Sequence, residues 1–157
     1  MSAKEDLLKS LSDNDKSGGV DKIHKALVDS GLKFKGPRNS NTLLYYYRHG
    51  NSEIGVAAMR DSPTTLLSLP KNFWENNKKL EVAIKKAHTF HISPTGPISS
   101  SQYSSAQFQI TATSINTLIS IINEIIIPEA LAAGAKLQNT AASLIRGSTL
   151  SNNLRPK

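Results

Sequence analysis

Three short segments near the middle of the chain constrain the fold more than any other feature of the sequence. Residues 42–48, 53–59 and 64–69 are rich in tyrosine, leucine and other apolar residues, which is typical of β-strands. They are separated by two short runs of turn-forming residues, 49–52 and 61–63. Connections this short join antiparallel neighbours. The sequence therefore predicts an antiparallel, meander-like sheet.

A fourth strand is predicted at residues 105–113, where apolar and polar side chains alternate. Its polar side carries Gln107, Gln109 and Thr111. We therefore expect a sheet of three or four strands with helices on one face and these three side chains exposed on the other. Uncharged hydrogen-bonding groups on a rigid strand are also suited to line a ligand surface.

Helices are predicted on both sides of these strands in the sequence. Apolar residues recur at helical spacing in residues 3–11 and 20–32, which indicates an N-terminal helix pair. Residues 70–87 predict a helix with proline in its first turn. A further helix is predicted after Ser114, whose hydroxyl can cap it, although its β-branched residues leave a buried strand open for part of this segment. Pro128 is expected to kink or restart that helix. The fold class predicted is α+β.

Length and composition indicate one domain in the cytoplasm. The chain has 157 residues, and we expect a single domain at 1–135, with the helix pair at 3–32 packed on it, followed by a polar, flexible tail at 136–157. It contains no cysteine, which excludes disulfides and a cysteine nucleophile. The charged N-terminus does not resemble a signal peptide, and no apolar run is long enough to predict a membrane span.

Positive charge is concentrated in one part of the sequence. The formal net charge of the chain is +7. Residues 1–32 contain five basic and six acidic residues, whereas residues 33–60 contain five basic residues and one acidic residue. The basic excess therefore begins at Lys33, on a predicted loop that leads into the tyrosine-rich strand. Such a stretch favours polyanionic partners.

The candidate binding residues follow from this charge pattern. Basic side chains neutralise phosphates, and tyrosine rings can stack on bases. The candidates in the loop and strand are Lys33, Lys35, Arg38, Tyr45, Tyr47 and Arg48, and those on the predicted helix are Lys78, Lys79 and Lys86. We expect a protein that binds DNA or RNA without catalysis, with neither a cofactor nor a metal. A solvated surface that only keeps the protein soluble is the alternative for the lysines.

A second interpretation is a protein-interaction module, such as an inhibitor or an assembly factor. No Asp, Glu, Lys or Arg occurs between Ala87 and Asn123. A protein partner would contact Trp74, the uncharged serine-rich loop that follows residue 92, or the isoleucine-rich helix. A loop, a strand and a buried helix in series would explain the same uncharged stretch without any partner.

A third interpretation is an enzyme. The sequence Arg48-His49-Gly50 at a strand end resembles the signature of the histidine phosphatase and phosphoglycerate mutase superfamily. The resemblance covers about six residues. It implies that His49 is phosphorylated, that Arg48 holds the phosphate, and that the motif lies on the first strand of a parallel sheet. Here two predicted helices precede the motif and a short antiparallel connection follows it. A hairpin turn in which Gly50 has a positive φ explains the motif equally.

Other candidate sites for chemistry are less complete. His88 and His91 are spaced to share one side of a helix, but no nearby acidic residue completes a metal site. His24 is expected on an exposed helix surface. A metal-dependent nuclease would need clustered carboxylates, and Glu53 and Asp61 flank the same strand at opposite ends. Turn formation explains Asp61 without a metal.

Overall fold

The computed structural model describes residues 2–38, 41–61, 64–92 and 104–137. These residues form an α+β fold, as predicted, with one antiparallel sheet in the strand order β1-β2-β3-β4-β6-β5. The strands are β1 (Lys33–Arg38), β2 (Thr42–His49), β3 (Ser52–Asp61), β4 (Thr65–Pro70), β5 (His91–Ile92) and β6 (Ser104–Gln109). The helices are α1 (Ala3–Asn14), α2 (Gly19–Asp29), α3 (Lys71–Trp74), α4 (Lys79–Lys86) and α5 (Ile115–Ala132).

The sheet has six strands rather than the predicted three or four, because β1 and β5 are added at its edges. The segment that forms β1 was predicted as a basic loop, since it contains Gly36 and Pro37. It nevertheless pairs with β2, with Lys33 opposite Tyr46 and Phe34 opposite Tyr45. Phe34 packs against the core, so the flanking lysines point to the other face of the sheet.

One face of the sheet, which we call the helix face, carries the main core. All five helices contribute a buried side chain to it: Leu7, Ile23, Trp74, Ala83 and Leu118. The strands contribute alternate residues, among them Leu43, Tyr45, Met59, Leu67 and Phe108. Apolar side chains on alternate strand positions and on one side of each helix therefore meet in a single cluster, which explains the predicted arrangement of helices on one face.

The opposite face of the sheet differs from the prediction for β6. Gln107 was expected to be solvent-exposed, but it is buried at 4 % exposure, while Gln109 and Thr111 are partly exposed. The reason is that β6 is not an edge strand at this point. Gln107 lies between Ser68 on β4 and Ile92 on β5.

The predicted helix at 70–87 is divided into two. Pro70 ends β4, α3 is a single turn, and α4 begins only at Lys79. Trp74 turns towards the core and donates a hydrogen bond from Nε1 to the Val56 carbonyl at 2.7 Å. Asn77 then accepts a hydrogen bond from the Lys79 amide. Burial of the indole and this local turn therefore interrupt the helix.

The second half of the chain is dominated by α5, which begins after Ser114. The Ser114 hydroxyl does not cap the helix as predicted: it accepts a hydrogen bond from the Thr111 amide and donates one to the Gln109 carbonyl. The turn before Pro128, Ile122–Ile126, is π-helical, and the α-helix restarts at Ile127 with Pro128 in its first turn, as predicted. Proline lacks the amide hydrogen that an α-helix needs there, and a π-helical turn relieves the clash of its ring with the preceding turn.

By length and composition, α5 is the one helix among the described residues that could cross a membrane. In this fold 44 % of its residues are buried. Its buried isoleucines belong to the main core cluster, and the helix contacts α2 and α4, so packing in the core accounts for its apolar character.

The N-terminal helix pair is packed on the rest of the fold through both helices. α1 contacts β1 and β2, and α2 contacts α5. Gly18, with a φ of 79°, precedes α2 and allows the sharp turn between the two helices. Of the predicted tail, Lys136 and Leu137 are described, and residues 138–157 lie outside the described residues.

Candidate polyanion-binding site

Basic side chains from distant parts of the sequence meet at one end of the sheet. Lys33 begins β1, whereas Arg48 and His49 end the antiparallel β2, so these three residues lie at the same end. Lys136, which follows α5, lies beside them. Together the four side chains line a cleft of about 390 Å³, which we call the basic cleft.

The end of α5 positions Lys136. Gly134 has a φ of 109°, the Ala135 amide donates to the Ala130 carbonyl, and the Gly134 amide donates to the Leu131 carbonyl. This is the Schellman arrangement, in which glycine turns the chain away from the helix axis. A Cβ on Gly134 would lie 3.4 Å from His49 Nδ1, so the turn passes directly beside the end of β2.

A cluster of ionic contacts adjoins the basic cleft on the face of the sheet opposite the helices. Arg48 Nη2 lies 2.7 Å from Glu53 Oε2, and Lys35 forms an ion pair with the same carboxylate. Both cations lie over the ring of Tyr46, with Lys35 Nζ at 5.1 Å and Arg48 Cζ at 5.9 Å from its centroid. The Arg48 side chain is still 52 % exposed. It can therefore reach a ligand while it remains paired.

The two tyrosines that the sequence proposed for binding lie in the core instead. Tyr45 is fully buried, and its hydroxyl is 2.7 Å from His24 Nδ1. Tyr47 is 5 % exposed. Neither ring offers a face on which a base could stack. His24 was expected on an exposed surface, but it is partly buried and contacts Phe34 as well as Tyr45.

The predicted cations do not all converge. Arg38 ends β1, five residues from Lys33, so their Cα atoms are about 16 Å apart; the side chain of Arg38 lies outside what the structure describes. Lys78 and Lys79 are exposed at the start of α4, on the helix face of the molecule. Lys86 lies on the same helix, with its Nζ 3.5 Å from a carboxylate oxygen of Glu124.

The basic cleft is therefore lined by three predicted residues, Lys33, Arg48 and the largely buried Tyr47, and by two that were not predicted as binding groups, His49 and Lys136. Tyr46 was also missed as the ring beneath the cations. The alternation of Lys33 and Lys35 with Phe34 indicates a strand with both lysines on one face, but only the pairing of Lys33 with Tyr46 shows that Tyr46 lies on that face. Lys136 carries no such signal, since its position depends on the path of α5.

The cations of the basic cleft also face the C-terminal end of α5. Positive charge is stabilising there because the last carbonyl groups of a helix carry partial negative charge. Part of the basic character is therefore explained by the fold alone. Within the described part of the chain, however, neither Lys33 nor Lys136 forms an ion pair. Two full charges thus remain available to a ligand.

The geometry around His49 differs from that implied by the resemblance to histidine phosphatases. β2 is preceded by two helices and by β1, and all its neighbours are antiparallel. His49 pairs with Ser52 across a hairpin in which Gly50 has a φ of 62°. The Arg48 guanidinium is held by Glu53. A hairpin turn therefore explains the Arg48-His49-Gly50 sequence.

Among the described residues, no group of three or more His, Asp or Glu side chains is placed to hold a metal ion. Glu53 is engaged by two cations, and Asp61 accepts a hydrogen bond from Asn14 at the other end of β3. Burial, followed by the charge of His88, lowers the pKa of His91.

The surfaces proposed for a protein partner are mostly internal. Trp74 is fully buried, and the isoleucines of α5 lie in the core. Large apolar side chains that are exposed, among the residues described, are limited to Val82 and Ile92. The serine-rich loop at 93–101 lies outside the described residues.

Comparisons with protein-family models, with curated proteins and with solved structures find no match for this chain.

Proposed function

We propose that this protein is a non-catalytic nucleic-acid-binding protein whose phosphate-binding site is the basic cleft. The observation that supports this most directly is the convergence of Lys33, Arg48 and Lys136 from three separate segments onto one cleft. Lys35 adds a further cation beside Arg48. Cations gathered from separate elements match the spaced phosphates of a nucleic-acid backbone better than a single ion.

The binding mode we propose is recognition of the phosphate backbone rather than of bases. Tyr46 is only 7 % exposed, and Tyr45 and Tyr47 lie in the core. Because the described residues place no exposed aromatic ring at the cleft, stacking contributes little, and affinity comes from counterion release. The protein should bind different sequences with similar affinity and lose affinity steeply as salt is added. The cytoplasm, predicted from the sequence, is the compartment in which we propose that it acts.

The test is binding of a fluorescently labelled 20-nucleotide single strand, followed by anisotropy over a range of NaCl concentrations. Replacing Lys33 and Lys136 together with glutamine should weaken binding at least about tenfold at low salt. The slope of log K against log[NaCl] should fall by about 1.4, because each lost phosphate contact contributes about 0.7 for a single strand.

A matched control removes the same charge elsewhere. Lys78 and Lys79 are exposed on the helix face, away from the basic cleft. The K78Q/K79Q variant should keep most of the affinity and the salt slope. Equal losses in both double variants would show that net charge alone attracts the nucleic acid. No binding of wild-type protein even at low salt would contradict the proposal and favour a protein partner.

A further inference from the structure

A second cavity lies over the sheet surface that carries Leu44, Ala58 and Ser68, and it extends to α3 and to Ala133 at the end of α5. It measures about 640 Å³, within the range of small-molecule sites. Leu44, Gly55 and Ala58 from β2 and β3 form an apolar part of its lining, and Phe73 of α3 adds an aromatic side chain. A Cβ at Gly55 would come within 2.6 Å of the Leu44 side chain. The glycine therefore keeps this part of the surface low and flat.

Polar groups without partners lie on the same face. Four buried side-chain polar atoms among the described residues lack a hydrogen bond, and three belong to Arg60, Ser68 and Gln107. Ser68 is 2 % exposed and lines the cavity together with Arg60. Buried polar groups are normally paired, so three neighbouring exceptions need an explanation.

The sheet register places these groups together. Leu44, Ala58, Ser68 and Gln107 lie directly opposite one another across β2, β3, β4 and β6. Arg60 is two residues from Ala58 on β3, so it is the diagonal neighbour of Ser68, with Cβ atoms about 7–8 Å apart. This row therefore passes from an apolar end to a polar end.

The chemistry of the unpaired atoms is uniform. Arg60 Nε and Gln107 Nε2 are hydrogen-bond donors, and the Ser68 hydroxyl can donate. No carboxylate in the described part of the chain forms an ion pair with Arg60. A guanidinium and a hydroxyl that both donate match a carboxylate, whose oxygens only accept.

We propose that this cavity binds a small organic carboxylate with a flat apolar body. The carboxylate accepts hydrogen bonds from Arg60 and Ser68, and the body lies on Leu44, Gly55 and Ala58 below Phe73. Gln107, next to Ser68, orients the polar end of the site. This site adjoins the basic cleft, with which it shares Tyr47 and, through Glu53, the ion pair to Arg48. Its carboxylate-binding groups are different, and the proposal does not depend on nucleic-acid binding.

The test uses 2-naphthoate as the probe and naphthalene-2-carboxamide as its neutral counterpart, each titrated by calorimetry. The acid should bind, and the amide should bind at least about tenfold more weakly, because a hydrogen bond to a charged group is stronger than one between neutral groups. R60Q and S68A should each weaken binding of the acid about tenfold. K33Q/K136Q should leave it unchanged, which separates this site from the basic cleft.

One further variant, A58L, and one further measurement, the melting temperature of S68A, test for an indirect effect. A58L keeps Arg60 and Ser68 but fills the floor of the cavity, so it should abolish binding of 2-naphthoate. Without ligand, S68A should keep or raise the melting temperature, because it removes an unpaired buried hydroxyl. A lower melting temperature would show that Ser68 is satisfied within the fold and would overturn the proposal. Equal binding of acid and amide, unchanged binding in R60Q or A58L, or no binding of 2-naphthoate at about 5 mM would overturn it as well.

Discussion

At the residue scale, Glu53 controls how much positive charge beside the basic cleft is available to bind phosphate. Its carboxylate pairs with both Lys35 and Arg48. E53Q keeps the shape of the side chain and removes the negative charge that competes with phosphate for these cations. We expect about threefold tighter binding of single-stranded nucleic acid at low salt, since partly exposed ion pairs contribute up to about 1 kcal/mol.

The control for Glu53 is E81Q, which makes the same charge change on the exposed surface of α4. Anisotropy titrations of both variants should be done at the same salt concentration. If E81Q tightened binding as much as E53Q, the effect would come from overall charge and not from release of Lys35 and Arg48.

Another residue-scale prediction concerns His24. Burial lowers the pKa of its imidazole, and Nδ1 is 2.7 Å from the Tyr45 hydroxyl. Because burial also raises the pKa of Tyr45, the hydroxyl stays protonated at all moderate pH values. The unfolded chain therefore binds more protons than the folded one as pH falls below about 6.5, the ordinary histidine value. The contribution of His24 to the free energy of unfolding should be flat above that pH and should decrease as the pH falls below about 6.5.

Urea denaturation at several pH values measures this dependence. H24Q should reduce the loss of stability on acidification, even if it lowers stability at pH 7. The pKa of His91 is also lowered, so H91Q should remove a further part of the loss. A slope unchanged in H24Q would show that His24 does not need to be neutral in the folded protein.

At the element scale, two adjacent glycines between α1 and α2 have different roles. Gly18 has a φ of 79°, and a Cβ there would meet nothing within 4 Å. Gly19 begins α2, and a Cβ there would lie 2.6 Å from Ile110 Cγ2 and 2.9 Å from Ile115 Cγ1. G19A should therefore lower the free energy of unfolding by about 1–3 kcal/mol through overpacking, although alanine favours helices.

The matched variant is G18N, since asparagine tolerates positive φ better than other side chains. It should cost less than about 1 kcal/mol. Both values come from urea denaturation at pH 7. Equal losses of unfolding free energy in G19A and G18N would mean that contact with Ile110 and Ile115 adds no penalty at Gly19.

The elements differ in how far the sequence predicts them. β2, β3 and β4 end within two residues of their predicted bounds, because local turn residues delimit them. β1 was missed because Gly36 and Pro37 obscure the alternation around Phe34. Tyr45 and Tyr47, which were chosen as binding residues, are buried, because they lie on the side of β2 that faces the helices. Without β1, nothing in the sequence of β2 shows which side that is.

At the scale of the whole molecule, the path of the chain determines which residues meet in the basic cleft. β6 pairs with β4 and β5 lies outside it, although β5 comes first in the sequence. Likewise α5 crosses the helix face and ends beside His49, which brings Lys136 to Lys33. Local patterns cannot specify such long-range neighbours, so half of the basic cleft could not be predicted, whereas the basic excess that begins at Lys33 could.

The same connectivity predicts how the molecule unfolds. Trp74 is the single tryptophan of the chain, is fully buried, and donates a hydrogen bond to the Val56 carbonyl of β3. Its fluorescence therefore reports on the sheet, whereas far-UV circular dichroism near 222 nm reports mainly on the helices. Because all five helices share one core with the sheet, both signals should change together in one cooperative transition with urea. Two separated midpoints would show that the N-terminal helix pair or α5 unfolds independently, contrary to a single domain.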